Sequence, residues 1–156
     1  MNGRIPALVL ICAAVAAGVG VWYAQEYGFY DRLDPAGVTL TVMAQGKPVP
    51  LAAREVQAID ADSSPIRWRA CFRLTGALPE GAEPFSQPTP LIGPRWFSCF
   101  DAGRIEADLK SGAAQAYLGQ PEVRPDVDRV IAVYPDGRAY GWQQFNDKTP
   151  ERGVMD

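Results

Sequence analysis

The strongest pattern along the chain is an uninterrupted apolar run near its amino terminus. Residues 5–24, "IPALVLICAAVAAGVGVWYA", contain no charged side chain. A helix of this length extends about 30 Å, the thickness of a bilayer's hydrocarbon core. Aromatic residues cluster at its end, as in the belts of membrane helices. The pattern predicts a membrane anchor over residues 1–27, with a cleaved signal peptide as the alternative.

After a tether predicted at residues 28–37, apolar residues begin to alternate with polar ones. This alternation predicts strands, because successive side chains of a strand point to opposite faces. The predicted strands are residues 38–44, 53–60 and 66–74, with a turn at 45–50 and a hairpin connection at 61–65. Five prolines and three glycines then predict that residues 76–94 form a long segment without regular structure.

The second half of the chain begins with a helix signal. Asp101 is a suitable N-cap, Ile105 and Leu109 are four residues apart, and Gly112 can end the helix. A short strand is predicted at 113–119. The turn sequence "YPDGR" between two strand-like runs then predicts a hairpin over residues 128–145.

Together these elements predict an α+β protein. It consists of an N-terminal transmembrane helix and a small, mainly antiparallel β-sheet domain with one packed helix. The domain is assigned to residues 38–146, outside the cytoplasm, and a flexible tail to residues 147–156. About 130 residues beyond the anchor are enough for one hydrophobic core.

The alternation also assigns faces within the predicted strands. In "IRWRACFRL", Trp68 and Phe72 share the expected core face, whereas Cys71 lies on the opposite face among arginines. Neighbouring guanidinium groups favour a thiolate, and a second layer covering this face is the other possibility. Tyr140 and Trp142 share a face of the last strand and are expected in the core.

The charges bear on partners and on orientation. Arg4 is the only charged residue before Glu26, so the domain has 14 basic and 18 acidic residues and a net charge of −4. This balance argues against nucleic-acid binding. Arg4 and the amino terminus precede the apolar run, and Arg32 is the only basic residue in the twenty that follow it. The expected orientation places the N-terminus in the cytoplasm and the domain outside.

The chain contains no histidine. Ser-His and Cys-His nucleophiles and histidine-ligated metals are therefore excluded. Acidic residues remain in two groups, but both stand among turn residues, where aspartate is usually structural. The groups are Asp60 with Asp62, and Glu122 with Asp126 and Asp128. We expect no enzymatic activity and no cofactor, with a carboxylate-based cell-wall enzyme as a residual alternative.

The motif R-W-x-x-C-F occurs twice, in "RWRACF" and "RWFSCF". It contains Cys71 and Cys99, which flank the proline-rich segment, and its surroundings show no further repeat. In an oxidising compartment two such cysteines usually pair, so a disulfide is predicted. Free structural thiols, a redox pair, or a copper site that includes Met43 are the alternatives.

Small residues repeat along one side of the predicted anchor. Close approach of two helices in lipid uses such ridges, so this side is a candidate face for a partner helix. The alternative is that alanine and glycine are merely common in such helices. The predicted face consists of Ala13, Ala16, Ala17, Gly20 and Ala24.

The segments "SPIRWRACF", "WFSCFDA" and "VDRVIAVYPDGRAYGWQQF" behind a short anchor resemble an uncharacterised family of small single-pass bacterial membrane proteins. The resemblance implies a membrane anchor with an outward soluble domain, and no mechanism; we expect the bacterial inner membrane and the periplasm. Because the anchor has a small-residue face and catalytic chemistry is lacking, we expect a non-enzymatic accessory or assembly factor that binds a membrane-protein partner. The alternative is a thiol-dependent redox or copper-handling protein that uses Cys71 and Cys99.

Overall fold

The structure is a computed structural model and describes residues 3–147. Its two α-helices are α1 (Arg4–Tyr23) and α2 (Ala102–Ser111). Its strands are β1 (Asp31–Arg32), β2 (Thr41–Ala44), β3 (Lys47–Pro50), β4 (Ala53–Asp60), β5 (Arg69–Leu74), β6 (Gln115–Arg124), β7 (Val127–Val133) and β8 (Arg138–Phe145). The predicted tail lies outside the described residues except for Asp147.

Six of the strands form one antiparallel sheet in the order β1-β4-β5-β8-β7-β6, and β2 pairs with β3 in a separate hairpin. Strand β5 lies in the middle, where Arg69 pairs with Trp142 and Cys71 pairs with Tyr140 on β8. The α+β prediction is confirmed, because an apolar N-terminal helix, this sheet and helix α2 are all present.

Helix α1 contains no buried residue, and within residues 3–147 it is the one helix long and apolar enough to cross a membrane, by length and composition alone. It continues through a π-helical turn, Ala24–Gly28. The predicted tether then follows a defined path, because β1 pairs with β4 and Pro35–Gly37 forms a 3₁₀ turn.

Both faces of the six-stranded sheet are covered. On one face, residues from the segment between β1 and β4, such as Leu33 and Leu40, pack on Trp68 and Phe72. On the other, α2 and the segment before it pack on Cys71 and Trp142. Cys71 therefore points away from the core of Trp68 and Phe72, as the period of two predicts. Of the two possibilities for its face, the second layer is the one observed, and it makes this face a core as well.

Several predicted elements are confirmed, and others need correction. Strand β4 and the hairpin of β7 and β8 match their predictions, and residues 76–94 contain neither helix nor strand. Helix α2 has the expected caps, since Asp101 accepts a hydrogen bond from the Arg104 amide and Gly112 is left-handed.

The main correction concerns residues 45–50, which were predicted as a turn. Only Gln45 and Gly46 turn the chain, both with positive φ, and Lys47–Pro50 is a strand. Prolines are tolerated there because β3 is an edge strand. Strand β6 is also longer than predicted, since bulges let it continue past Gly119 to Arg124.

A close contact across the sheet gives a stability prediction. A Cβ atom at Gly141 would lie 2.7 Å from the Trp68 ring, whereas at Gly76 it would meet nothing within 4 Å. Because Trp68 is 2% exposed and cannot move freely, Gly141→Ala should destabilise the protein by about 1–3 kcal/mol. Thermal unfolding of the detergent-solubilised protein measures the change, with Gly76→Ala as the control. Equal melting temperatures for the two variants would contradict this packing.

Candidate functional site

The two motif cysteines are joined. The structure has a disulfide between Cys71 on β5 and Cys99, with Cα atoms 6.3 Å apart and 28 residues of sequence separation. Cys71 is 6% exposed and belongs to the core cluster under α2. The bond fixes the far end of the proline-rich segment to the centre of the sheet. A thiolate activated by arginines does not occur in this state, because neither sulfur is free.

Arg69 is a second attachment of the same segment, and the sequence did not reveal it. Its side chain is 2% exposed, and burial lowers its pKa to about 10, so it stays charged at neutral pH. The guanidinium donates to four backbone carbonyls and forms no ion pair with a carboxylate of residues 3–147. These are the carbonyls of Ile66, Trp68, Leu91 and Ile92, at 2.7–3.4 Å. Arg69 thus joins the start of β5 to the tip of the segment.

A third attachment uses the buried amide of Gln144. Its Oε1 accepts from the Trp142 indole and the Thr89 amide, at 2.9 and 2.8 Å, and its Nε2 donates to the Gln87 carbonyl at 3.0 Å. Trp142 itself is fully buried, as the sequence predicted, and Tyr140 is half-buried beside it. The segment without regular structure is therefore bound to three neighbouring points of the sheet.

The residues just after the segment contact the π-helical turn that continues α1. The backbone carbonyl of Glu26 accepts a hydrogen bond from the Trp96 indole at 2.6 Å. The Oε1 atom of the Glu26 side chain accepts a hydrogen bond from the Arg95 backbone amide, also at 2.6 Å. The rings of Tyr30 and Trp96 meet edge to face, with centroids 6.4 Å apart. We call this contact the junction. It is three residues from Cys99, so the disulfide, the loop and the anchor end form one connected structure.

Two arginines lie over the aromatic rings of the junction. The Arg32 guanidinium is 4.7 Å from the Trp96 ring centroid, and that of Arg67 is 5.3 Å from the Tyr30 centroid. Contacts of this kind contribute about 0.5–1 kcal/mol at partly exposed sites. They hold the rings in place while the charges remain near solvent.

The small-residue face of α1 makes no contact within the described chain. Ala13, Ala16, Ala17 and Gly20 are exposed, and Ala24 is partly covered because it lies next to the junction. A Cβ atom added at Gly20 would meet no other atom within 4 Å. Nothing in the described residues therefore tests whether a partner helix packs on this face.

The first acidic group lines a polar cavity of about 440 Å³. Asp60 and Asp62 face Arg124 and Arg129 across it, without an ion pair among the described residues. Burial raises the pKa of Asp60, whereas the hydrogen bond from the Ala61 amide lowers it. Arg129 stacks 4.1 Å from the Trp68 ring centroid. The four charged residues of the cavity therefore keep their positions through contacts with the rest of the domain and not through ion pairs with one another.

The second acidic group has a structural role. Asp128 accepts from the Glu122 amide, and Glu122 accepts from the Asp126 amide. The Asn146 side chain donates to both Glu122 and Asp128. Glu122 and Asp126 have positive φ, so these bonds support a strained turn between β6 and β7. Asn146 is 8% exposed and is bound to this turn, although the sequence indicated a loose segment from this residue onward.

A comparison with protein families decides the identity of the domain. The model of a family of unknown function, DUF6446, matches residues 38–152. The chain belongs to this family. No curated protein and no solved structure matches it. The match spans every element from β2 to β8, which are the elements that build the DUF6446 domain. It leaves out α1 and the aromatic residues between positions 22 and 30.

A metal site in the DUF6446 domain would need several ligand side chains close together. Residues 3–147 contain no group of three or more His, Cys, Asp or Glu side chains that could hold an ion. Met43, considered as a copper ligand with the two cysteines, is buried in β2 and is not part of the cluster around the disulfide.

Removing the disulfide of the DUF6446 domain should lower its stability. Loop entropy predicts a loss of about 3–4 kcal/mol for the variant Cys71→Ala/Cys99→Ala. Denaturant unfolding of the detergent-solubilised protein measures the loss. Hydrogen exchange should report faster opening of residues 76–94, because only hydrogen bonds then hold the segment, from Arg69, Gln144 and the neighbouring strands β2 and β6.

The matched control is Cys12→Ala, since Cys12 is free and exposed on the anchor. It should unfold like the wild type. If the double variant were equally stable, the disulfide would not be the main constraint on the segment.

Proposed function

We propose that this protein is a single-pass membrane protein that holds its DUF6446 domain at the outer surface of the bacterial inner membrane. In this proposal it acts without catalysis, as an accessory or assembly factor for a membrane-protein partner. The observation that carries the proposal is the junction. An exposed apolar helix runs directly into a contact in which Glu26 is hydrogen-bonded to the domain.

The length of the apolar run supports an uncleaved anchor, and the junction shows how such an anchor would meet the domain. Glu26, two residues after the run, binds Trp96 and Arg95. The domain would then have a defined position relative to the helix, and hence to the membrane. Such a fixed arrangement suits a protein that presents a surface to a neighbour in the same membrane.

The disulfide supports a location outside the cytoplasm, since such bonds are rare in reducing compartments. This agrees with the orientation expected from Arg4, which places the N-terminus in the cytoplasm and the domain in the periplasm. The partner is suggested by the small-residue face of α1, whose residues from Ala13 to Gly20 are fully exposed and suited to close helix packing.

The non-catalytic assignment is supported by what the polar side chains do. The chain has no histidine, and the Glu122, Asp126 and Asp128 carboxylates bind backbone amides and Asn146 in a turn. Cys71 and Cys99 form a structural bond in the core. None of these groups is left in an arrangement that supplies a nucleophile together with a base.

Thiol counting in native membranes tests the compartment. We expect one alkylated cysteine, Cys12, before reduction and all three after reduction, measured by mass spectrometry of the intact protein. Three reactive thiols without reductant would place the domain in a reducing compartment and contradict the proposal. A pair that opens in mild reductant and then binds copper(I) would favour the thiol-dependent alternative.

Photo-crosslinking tests the partner. A crosslinker at Ala17 in native membranes should capture a reproducible membrane protein, and Gly20→Leu should strongly reduce the yield by blocking close approach. Gly18→Leu is the matched control, because Gly18 lies on the opposite side of α1 and its Cβ would also meet nothing within 4 Å. No captured partner, or an equal loss for both variants, would count against a partner helix on this face.

A further inference from the structure

The tip of the proline-rich segment displays an apolar side chain. Ile92 is 85% exposed, more than any other large hydrophobic residue of the described chain, including those on the anchor. A single exposed isoleucine is unremarkable when it lies on a mobile loop. This one is not free to withdraw, because the carbonyls of Leu91 and Ile92 are both bound by the buried Arg69.

The position of Ile92 relative to the anchor follows from the junction. The Arg95 amide is 2.6 Å from the Glu26 carboxylate, and three residues of extended chain span at most about 10 Å. Ile92 is thus near the end of α1. The 20 residues of α1 extend about 30 Å, so its end lies where the hydrocarbon core meets the headgroups. The exposed side chain is therefore near this boundary.

The surroundings of Ile92 have the composition of a membrane interface. Tyr27 and Phe29 are each 45% exposed at the end of the anchor, next to the half-buried Trp96. Tyrosine and tryptophan prefer the headgroup level because one end of each ring system is polar. The Arg67 guanidinium lies over the Phe29 ring, 5.6 Å from its centroid, and a long arginine side chain can extend its charge toward a polar surface. The domain side and the helix side of the junction thus present the same chemistry.

We propose that this surface rests on the membrane that α1 spans, with Ile92 inserted at the boundary between acyl chains and headgroups. Arg32 and Arg67 contact the lipid phosphates beside it. The inference rests on the proposed function, because it needs α1 in the bilayer. It adds a second point of attachment, so that the domain cannot swing about the end of the helix. The ligand is the phospholipid itself, and the phosphate is common to all phospholipids.

Site-directed spin labelling of the full chain in lipid nanodiscs tests the inference. Three labelled proteins are compared, with the disulfide intact. They are the wild type labelled at Cys12, Ile92→Cys in a Cys12→Ser background, and Thr75→Cys in the same background. Thr75 is exposed and follows β5 at the end opposite Arg69, about 17–20 Å away along the strand.

Accessibility to oxygen, which concentrates in lipid, is measured against accessibility to a water-soluble nickel chelate. We expect the ratio at residue 92 to be several-fold higher than at residue 75, approaching the ratio at Cys12. The result should be the same in phosphatidylcholine alone and with added phosphatidylglycerol, since the arginines contact the shared phosphate. A high oxygen-to-nickel accessibility ratio at residue 92 only with phosphatidylglycerol would overturn the claim that the surface binds phospholipids without a net charge.

The outcomes separate the two proposals. A lipid-like ratio at Cys12 with an aqueous ratio at residue 92 would overturn the membrane contact and leave the anchor intact. An aqueous ratio at Cys12 itself would overturn the proposed function. If residue 92 is aqueous in nanodiscs but shielded in native membranes, a protein covers it there and the lipid assignment is wrong.

Discussion

The covalent link between Cys71 and Cys99 is the constraint on which the rest of the structure depends. The chain between these cysteines contains five prolines and forms no helix or strand between residues 76 and 94. Such a segment loses much conformational entropy when it is ordered, and it lacks the continuous hydrogen-bond ladder of a helix or strand that would offset this loss. The disulfide restricts the unfolded chain beforehand. It thus reduces the entropy that folding must overcome.

The backbone of this segment still needs hydrogen-bond partners where it is covered. Arg69 and Gln144 supply them from the sheet, each with a polar side chain of the kind that is usually exposed. Burying a guanidinium without a carboxylate is unfavourable unless its donors are satisfied. Here four carbonyls accept from four of its five N–H groups, and the lowered pKa of about 10 still leaves the group charged at neutral pH. The polar core and the unusual loop therefore depend on each other.

The same segment connects the domain to the anchor. Arg95 and Trp96 lie between the loop tip and Cys99, and both bind Glu26 at the end of the helix. The order along the chain is thus loop tip, junction, disulfide and helix cap, within ten residues from Ile92 to Asp101. The core around Cys71 is thus connected to the end of the apolar helix by covalent and hydrogen bonds.

Local patterns were sufficient for much of the fold. The apolar run, strand β4, the capped helix α2 and the last hairpin follow from residues close in sequence, so the sequence alone determined them. The Gln-Gly pair before Lys47 was also a local signal for a hairpin. The prolines that follow it argue against a strand, so the hairpin was not predicted. The pairing of Cys71 with Cys99 was predicted from compartment and spacing.

Only the tertiary structure decided which surfaces are buried. The alternation of side chains along β5 divides its residues between two faces, but it does not show which face is covered. Periodicity therefore could not show that the face of Cys71 carries a core of its own. Arg69 resembles a surface residue because its acceptors at Leu91 and Ile92 are 22 and 23 residues away. The junction likewise joins residues about 70 apart. Such contacts leave no periodic trace in the sequence, because they depend on where distant segments meet in space.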